Sequence, residues 1–409
     1  MKRTPLLICS LMLGVSTSGC VQHIPTKVER VQAIQAQTEI PEQQLLDVGI
    51  EVFDPGIEPE LELAAEEVGL YLDVRKAEAR FTSYHLRDTL QKTGQWGAVW
   101  LTPSEGAAVD VMVEGTILKS DGEFLEVAVS VSDASGRRWF SKEYKEQVYE
   151  SSYRNGRALT EEPFQNIYNR ISNDMLTARD ELSREEVARI RDISTLRYAG
   201  DIAPDAFSSY LEKDRRGRYS VTRLPAENDP MLTRILSVRE REYAFVDTLN
   251  DHYAVFYEDM VDDYEEYRKT SYPEAVAYRE LKKQALQRKI LGVAAAVGGV
   301  LVDANTDSTL GSYAGYTGLL AGIGIFKSGM DRNQEAKLHA EVMKELTASF
   351  DGTVEAQVVE VEGRTAELQG SADAQFQAWR DLLREIYAAE TGFSVEAAEE
   401  SDQLDEPIG

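Results

Sequence analysis

The feature that most constrains this chain is a pair of uncharged, glycine-rich runs set between two amphipathic segments. Residues 290–302 are thirteen positions without a charge, residues 303–307 form a polar turn, and residues 310–326 are seventeen more uncharged positions. Gly311 and Gly315 stand four apart, as do Gly318 and Gly322. On a helix that spacing bares one face and lets a second helix approach closely. The pair therefore reads as a helical hairpin with a small-residue packing or oligomerisation seam. The first arm would rise about 20 Å and the second about 26 Å at 1.5 Å per residue, against a hydrocarbon core of about 30 Å. Asp303 and Asp307 at the tip would each cost about 2.5–3.5 kcal/mol near a bilayer centre. Three arrangements stay open: a buried hairpin, a membrane-associated one, and a self-associating one that builds a ring.

The flanks carry the periodicity of long helices. Asp229-Pro230 is a helix start, with proline where its missing N–H costs nothing. Val246, Leu249, Tyr253, Phe256 and Met260 follow at spacings of three and four, and Tyr264 and Tyr267 continue the stripe, the pattern of a packing seam. Pro273 is expected to kink or interrupt this helix, and apolar positions resume at Tyr278, Leu281, Leu286 and Ile290. Beyond the glycines, Leu338, Val342, Leu346 and Phe350 repeat every four residues. That second amphipathic helix can run back along the first, so 226–350 reads as one long hairpin.

The amino-terminal part alternates differently. Residues 45–53 read as a strand, and 74–93 as a helix with Ala79, Leu86 and Leu90 on one face and Gly94 placed to end it. Further strands are expected at 97–103, 109–118, 124–131 and 138–148, punctuated by turns at Ser120-Asp121-Gly122 and at 133–136. The order is β-α-β-β-β-β. Residues 155–215 are helical, with a stripe at Phe164, Ile167, Ile171, Met175 and Leu176 and a capping box at Ser183-x-x-Glu186; Pro204 starts a further short helix. Arg215, Arg216, Gly217 and Arg218, with Pro225, mark a break. Near the end, 354–361 and 364–370 flank Glu362-Gly363 as a β-hairpin, and Ser371 caps a last helix through Phe376, Trp379, Leu382, Leu383 and Ile386, ended by Gly392. The tail from Ser394 has six acids and no base and reads as disordered.

The start of the chain speaks to location. Lys2 and Arg3 precede an apolar run from Leu6 to Val15, then Ser18, Gly19 and Cys20, the layout of a secretory signal. Ser18-Gly19-Cys20 resembles the bacterial lipobox, with Thr17 where an aliphatic residue is usual. The resemblance implies cleavage after residue 19, a covalent lipid such as palmitate on Cys20, and, with Val21 rather than Asp next, the periplasmic face of the outer membrane. The only other cysteine, Cys9, lies in the segment to be removed, which fits an oxidising compartment. Residues 20–44 read as a polar tether.

A second resemblance rests on Arg87-Asp88-Thr89-Leu90 followed by Gly94-Gln95-Trp96, on Asp110-Val111-Met112-Val113-Glu114-Gly115-Thr116-Ile117, and on Asp133-Ala134-Ser135-Gly136. These stretches resemble the periplasmic α/β module of the TolB amino-terminal domain, the lipoprotein activators of penicillin-binding proteins and the curli secretion lipoprotein. The resemblance covers 45–150 and implies a docking module without an active site. The glycine spacing in turn resembles that of bacterial glycine-zipper envelope proteins.

Composition bounds the chemistry. The chain has 409 residues and a net charge of −27, a surface that repels nucleic-acid phosphates and anionic headgroups at long range. Nucleic acid is set aside; envelope proteins or further copies of the chain are the partners expected. The four histidines, His23, His85, His252 and His339, stand singly, without metal-ligand spacing. Gly322-Ile-Gly324-Ile-Phe-Lys327-Ser328 lacks the glycines a phosphate loop needs before its lysine, so no nucleotide is expected. Asp262-Asp263 and Glu265-Glu266 read as a solvated helix face, and the acids from Glu58 to Glu67 lack the pattern of a calcium loop. No G-x-S-x-G elbow occurs. The expectation is an α+β protein: leader 1–19, tether 20–44, small α/β sheet domain 45–150, helical region 151–225, long helical hairpin 226–350 with its glycine-rich tip at 290–326, β-hairpin and helix 351–392, acidic tail 393–409. Its expected role is non-catalytic assembly or scaffolding by contact, with no metal, cofactor or catalytic residue beyond the lipid on Cys20. A ring- or pore-forming envelope component and a cell-wall hydrolase are the alternatives.

Overall fold

A computed structural model describes residues 30–57, 72–102, 109–153, 162–298, 357–361, 364–368 and 371–391, with scattered positions between 338 and 348. The leader, Cys20, the acidic loop, Gly311, Gly315, Gly318, Gly322 and the acidic tail lie outside the described residues. The architecture is α+β: a five-stranded sheet, then a long helical region, then a hairpin and a last helix.

Strand β1 (Val48–Glu51) leads to helix α1 (Leu72–Thr93), then β2 (Val99–Thr102), β3 (Val111–Ser120), β4 (Phe124–Asp133) and β5 (Arg138–Gln147). The sheet order is β2-β1-β3-β4-β5. Strand β1 is parallel to both β2 and β3, and β3-β4-β5 is an antiparallel meander. Alternation does the sorting. Val48, Ile50, Val111, Val113, Ile117, Val127, Val129 and Val131 are buried, together with Ala79, Leu86 and Leu90 of α1, while Glu114, Ser130 and Ser132 of the antiparallel meander lie on the solvated side, as expected of strands covered on one face. Helix α1 ends at Gly94, whose φ of 64° is the left-handed cap.

Both turns close as their residues dictate. Asp121 Oδ1 accepts the Glu123 and Phe124 amides, and Asp133 Oδ1 accepts the Ser135 amide, which leaves the left-handed positions to Gly122 and Gly136.

Helices α2 (Gln165–Asp180) and α3 (Arg184–Ile202) follow, then the single turn α4 (Pro204–Phe207) and a small antiparallel ribbon, β6 (Leu211–Lys213) with β7 (Tyr219–Val221). The capping box forms: Ser183 Oγ accepts the Glu186 amide at 3.2 Å, and Glu186 Oε2 accepts the Ser183 amide at 2.8 Å. Helix α5 (Pro230–Gly298) then runs 69 residues, about 100 Å at 1.5 Å per residue. Asp229 Oδ1 caps its start by accepting the Met231 and Leu232 amides.

Pro273 does not interrupt α5. The ring removes one helical hydrogen bond, but side chains on both sides of it are pinned. Arg268 pairs with Glu162, Tyr272 packs on Tyr153, and Arg279 pairs with Glu123. These contacts hold the backbone on course where the local sequence would break it.

The seam read in the sequence is buried: Val246, Leu249, Tyr253, Phe256, Met260 and Tyr264 all face the body. Past α5 the chain returns to the start of α1, where Lys344 Nζ lies 3.9 Å from Asp73 Oδ2. Strands β8 (Gln357–Val361) and β9 (Arg364–Leu368) pair as a hairpin, and helix α6 (Ala372–Thr391) buries Phe376, Trp379, Leu383 and Ile386. Segments that read in sequence as a docking domain, a helical region and a long arm share one core, from Leu46 in the sheet domain to Tyr387 in α6.

Candidate functional site

The contacts that root α5 on the body form the most extended polar network among the described residues. Four buried groups carry it: Arg268, Glu242 and Asn250, placed on the apolar seam of α5 by helical spacing, and His85 on α1.

Arg268 stands four residues after Tyr264 and eight after Met260, so it continues the stripe and is only 2% exposed. Its guanidinium meets Glu162 through both terminal nitrogens, Nη2 to Oε2 at 2.8 Å, the fork-to-fork pairing arginine favours. The ring of Tyr264 lies 4.0 Å from its centre, with Phe81 and Phe164 near 5.7 Å. Burial alone would raise the Glu162 carboxyl; the Arg268 charge and its hydrogen bonds outweigh that and hold it below the ordinary carboxylate range. Next to it, Glu78 of α1 accepts from Ser120 of β3 at 2.8 Å and from the Tyr264 hydroxyl at 3.1 Å, and pairs with Arg75 at 3.2 Å.

Glu242 stands one turn before Val246. It lies 3.6 Å from Arg380 of α6; Arg380 in turn pairs with Asp201 of α3, and Arg384 joins Asp201 at 3.1 Å. Burial pushes the Glu242 carboxyl up to about 7, against the pull of Arg380. Asn250 closes the edge of the sheet: its Oδ1 accepts the Leu101 amide at 2.8 Å and its Nδ2 donates to the Leu101 carbonyl at 2.9 Å. One side-chain amide thus stands in for a neighbouring strand along β2, an edge that would otherwise be open. Trp100 donates to Asp247 at 2.7 Å beside it.

His85 is the fourth group. Its Nδ1 lies 2.7 Å from the Tyr257 hydroxyl of α5 and its Nε2 2.7 Å from Gln165 Oε1 of α2. The Gln165 amide donates to Asn169 Oδ1 at 3.0 Å, and Asn169 Nδ2 donates to the Val31 carbonyl at 2.8 Å. That direction fixes the histidine: Nε2 carries the proton and Nδ1 accepts from Tyr257. Burial pushes the imidazole below its ordinary value, in line with this neutral form. A single chain of donors therefore runs from the long helix to the amino-terminal segment.

That segment is itself held. Residues read in sequence as part of a tether lie extended along α2 from Val31 on. Asn166 Oδ1 accepts the Val31 amide, Asn173 Oδ1 accepts the Ile34 amide, Asn173 Nδ2 donates to Gln32, and the Ala36 amide donates to Thr93. Asn166, Asn169 and Asn173 repeat at helical spacing, so one face of α2 forms an amide ladder for a peptide strap.

A cleft of about 890 Å³ opens between the solvated sheet face and α3, lined by Glu51, Glu114, Arg197, Asp201, Lys213 and Tyr219 among others. Neither histidine nor cysteine lines it. Among the described residues no group of three or more His, Cys, Asp or Glu side chains could hold a metal ion, and no helix is long and apolar enough to cross a membrane.

Cys20, Gly311, Gly315, Gly318 and Gly322, the lipidation and helix-packing positions read from sequence, lie outside the described residues, and so do His23 and His339. Sequence reasoning missed Arg268, Glu242, Asn250 and the asparagine ladder. For Arg268, Glu242 and Asn250 the signal was a polar residue standing on an otherwise apolar stripe; the asparagines offered only their own helical spacing. Searches against family models, curated proteins and solved structures found no match for the chain.

Proposed function

We propose that the chain is a non-catalytic scaffold of the bacterial envelope, anchored by lipid at Cys20 on the periplasmic face of the outer membrane, that presents a helical arm to an envelope protein or to further copies of itself. The observation that carries this reading is the rooting of α5. Its first fifty or so residues are fastened by a bidentate ion pair, an amide edge-cap and an aromatic seam, and the helix then continues to Gly298, into the glycine-rich segment. A helix that served only its own core would have no use for the continuation. The buried charges at the heart of the body are paired, Arg268 with Glu162 and Arg380 with Glu242 and the more exposed Asp201, the arrangement of a support. The resemblance of 45–150 to periplasmic docking modules supports the same role, and the small-residue seam gives the arm a surface suited to close helix contact.

The test is fractionation and cross-linking in envelopes. In high salt the wild-type chain is expected to float with outer membranes and the Cys20→Ser form to be released. Photo-cross-linkers at Lys283 and Glu341 are expected to give discrete adducts with an envelope protein or a second copy. Release of muropeptides by the purified protein, or wild-type chain that stays soluble and gives no adducts, would overturn the proposal.

A further inference from the structure

The chain is strongly acidic, yet two turns on it are locally basic. Residues 133–138 and 211–218 together hold six cations, Arg137, Arg138, Lys213, Arg215, Arg216 and Arg218, against three acids. Distant in sequence, they are adjacent in space because two turns stack. The Tyr219 amide donates to the Ser135 carbonyl at 2.8 Å. A Cβ on Gly136 would come within 2.7 Å of the Gly217 carbonyl oxygen, so the backbones meet with no side chain between them. Both glycines sit at a φ of 78°, and each turn is closed by an aspartate. Asp133 accepts the Ser135 amide; Asp214 Oδ1 accepts the Arg216 and Arg218 amides at 2.7 and 2.8 Å. Two of the three local acids are thus committed to turn backbone.

All six cations are exposed. Arg137 reaches Glu186 at 3.4 Å, and Lys213 lies over the Tyr219 ring at 5.3 Å. Arg138, Arg215, Arg216 and Arg218 make no side-chain ion pair among the described residues. Lys213 and the two glycines stand at the rim of the cleft described above and the arginines on the turn tips, and the two turns' one large apolar side chain is the half-buried Leu211, short of the apolar centre that anchors a protein–protein interface. Point charges on convex tips instead suit a plane of diffuse negative charge, where each contributes separately.

We propose that these stacked turns contact anionic lipid headgroups. The repulsion of the rest of the molecule is screened beyond about 8 Å at physiological salt, so attraction at the tips and repulsion elsewhere also orient the body. The inference does not depend on lipidation, and its test removes the thiol.

The full chain carrying Cys20→Ser is floated with vesicles of phosphatidylethanolamine, alone or with phosphatidylglycerol. Binding is expected to the anionic vesicles, with loss at high salt. Each lost cation should cost about fivefold in partitioning, so Arg215→Glu, Arg216→Glu and Arg218→Glu together should lower it more than a hundredfold. Lys92→Glu with Lys283→Glu, exposed cations on other elements, should change it less than twofold. Circular dichroism checks that all variants are folded. Equal binding to neutral vesicles, no binding at all, capture of an acidic peptide without vesicle binding, or equal loss in the Lys92/Lys283 control would each overturn the proposal.

Discussion

Replacing Arg268 by methionine removes a guanidinium that is 2% exposed and leaves the Glu162 carboxylate, 5% exposed, without its counter-charge. Breaking one side of a buried pair costs about 3–5 kcal/mol, because the remaining charge must be solvated by protein or take up a proton. The lost contact with the Tyr264 ring at 4.0 Å lies within that range. Glu162→Leu strands the arginine instead and should cost a similar amount. Removing both charges, as Glu162→Leu with Arg268→Met, should recover most of the loss, since well-packed apolar groups commonly replace a buried pair with little penalty. Urea unfolding followed by circular dichroism reads all three variants, and the two single losses less the small residual loss of the double variant should leave a coupling energy of at least about 4 kcal/mol. Two single variants each below about 1 kcal/mol, or a double variant equal to their sum, would refute the reasoning, because either result means the pair is neither desolvated nor coupled.

Glu242 has a native pKa near 7, above its unfolded value, so the native state holds a proton that the unfolded state releases. Its contribution is therefore largest below the unfolded value, shrinks as pH rises from about 4.5 to about 7, and is flat above that, with a slope of at most about 1.4 kcal/mol per pH unit; the difference between wild-type and Glu242→Gln stability curves should show that slope and no slope above pH 7. His85, pushed down by burial, should give the opposite sign: its contribution is lost as pH falls below the ordinary histidine value, and a His85→Gln difference curve checks it. Asn173→Ala should speed hydrogen exchange at the Ile34 amide, and Asn166→Ala at the Val31 amide, by about one hydrogen bond's worth each. Gly122→Ala combines a φ of 76° with a Cβ that would sit 2.8 Å from the Arg268 carbonyl oxygen; it should lower stability by more than 1 kcal/mol in thermal melts. If the glycine seam is an interface, Gly315→Leu with Gly318→Leu should reduce the assembly size seen by light scattering.

Local chemistry made much of the fold legible. The β-α-β-β-β-β order, the turns at Asp121-Gly122 and Asp133–Gly136, the Ser183 capping box and the Asp229-Pro230 start all depend on residues within a few positions of one another, and each forms as read. The stripe from Val246 to Tyr264 was legible because burial follows helical period. Pro273 was not, because its tolerance comes from Arg268 and Arg279, which find partners more than a hundred residues away. The polar locks were hidden for the same reason. An arginine at position 268 looks like one more charge on a charged helix until Glu162 is placed opposite it. The asparagines of α2 and the residues from Val31 read as unremarkable polar surface and as tether; only their juxtaposition makes a strap. The basic tips were visible as an arginine-rich break but not as half of a patch, since Arg137 and Arg138 belong to a different hairpin.

The claim on which the proposed function rests is that α5 is rooted rigidly on the sheet domain. Spin labels at Lys92 of α1 and Lys283 of α5, in a chain carrying Cys9→Ser and Cys20→Ser, report that directly by pulsed dipolar spectroscopy. One narrow distance distribution, broadened by Arg268→Met, is the expected result. A broad or multimodal distribution in the chain with Arg268 intact would contradict it.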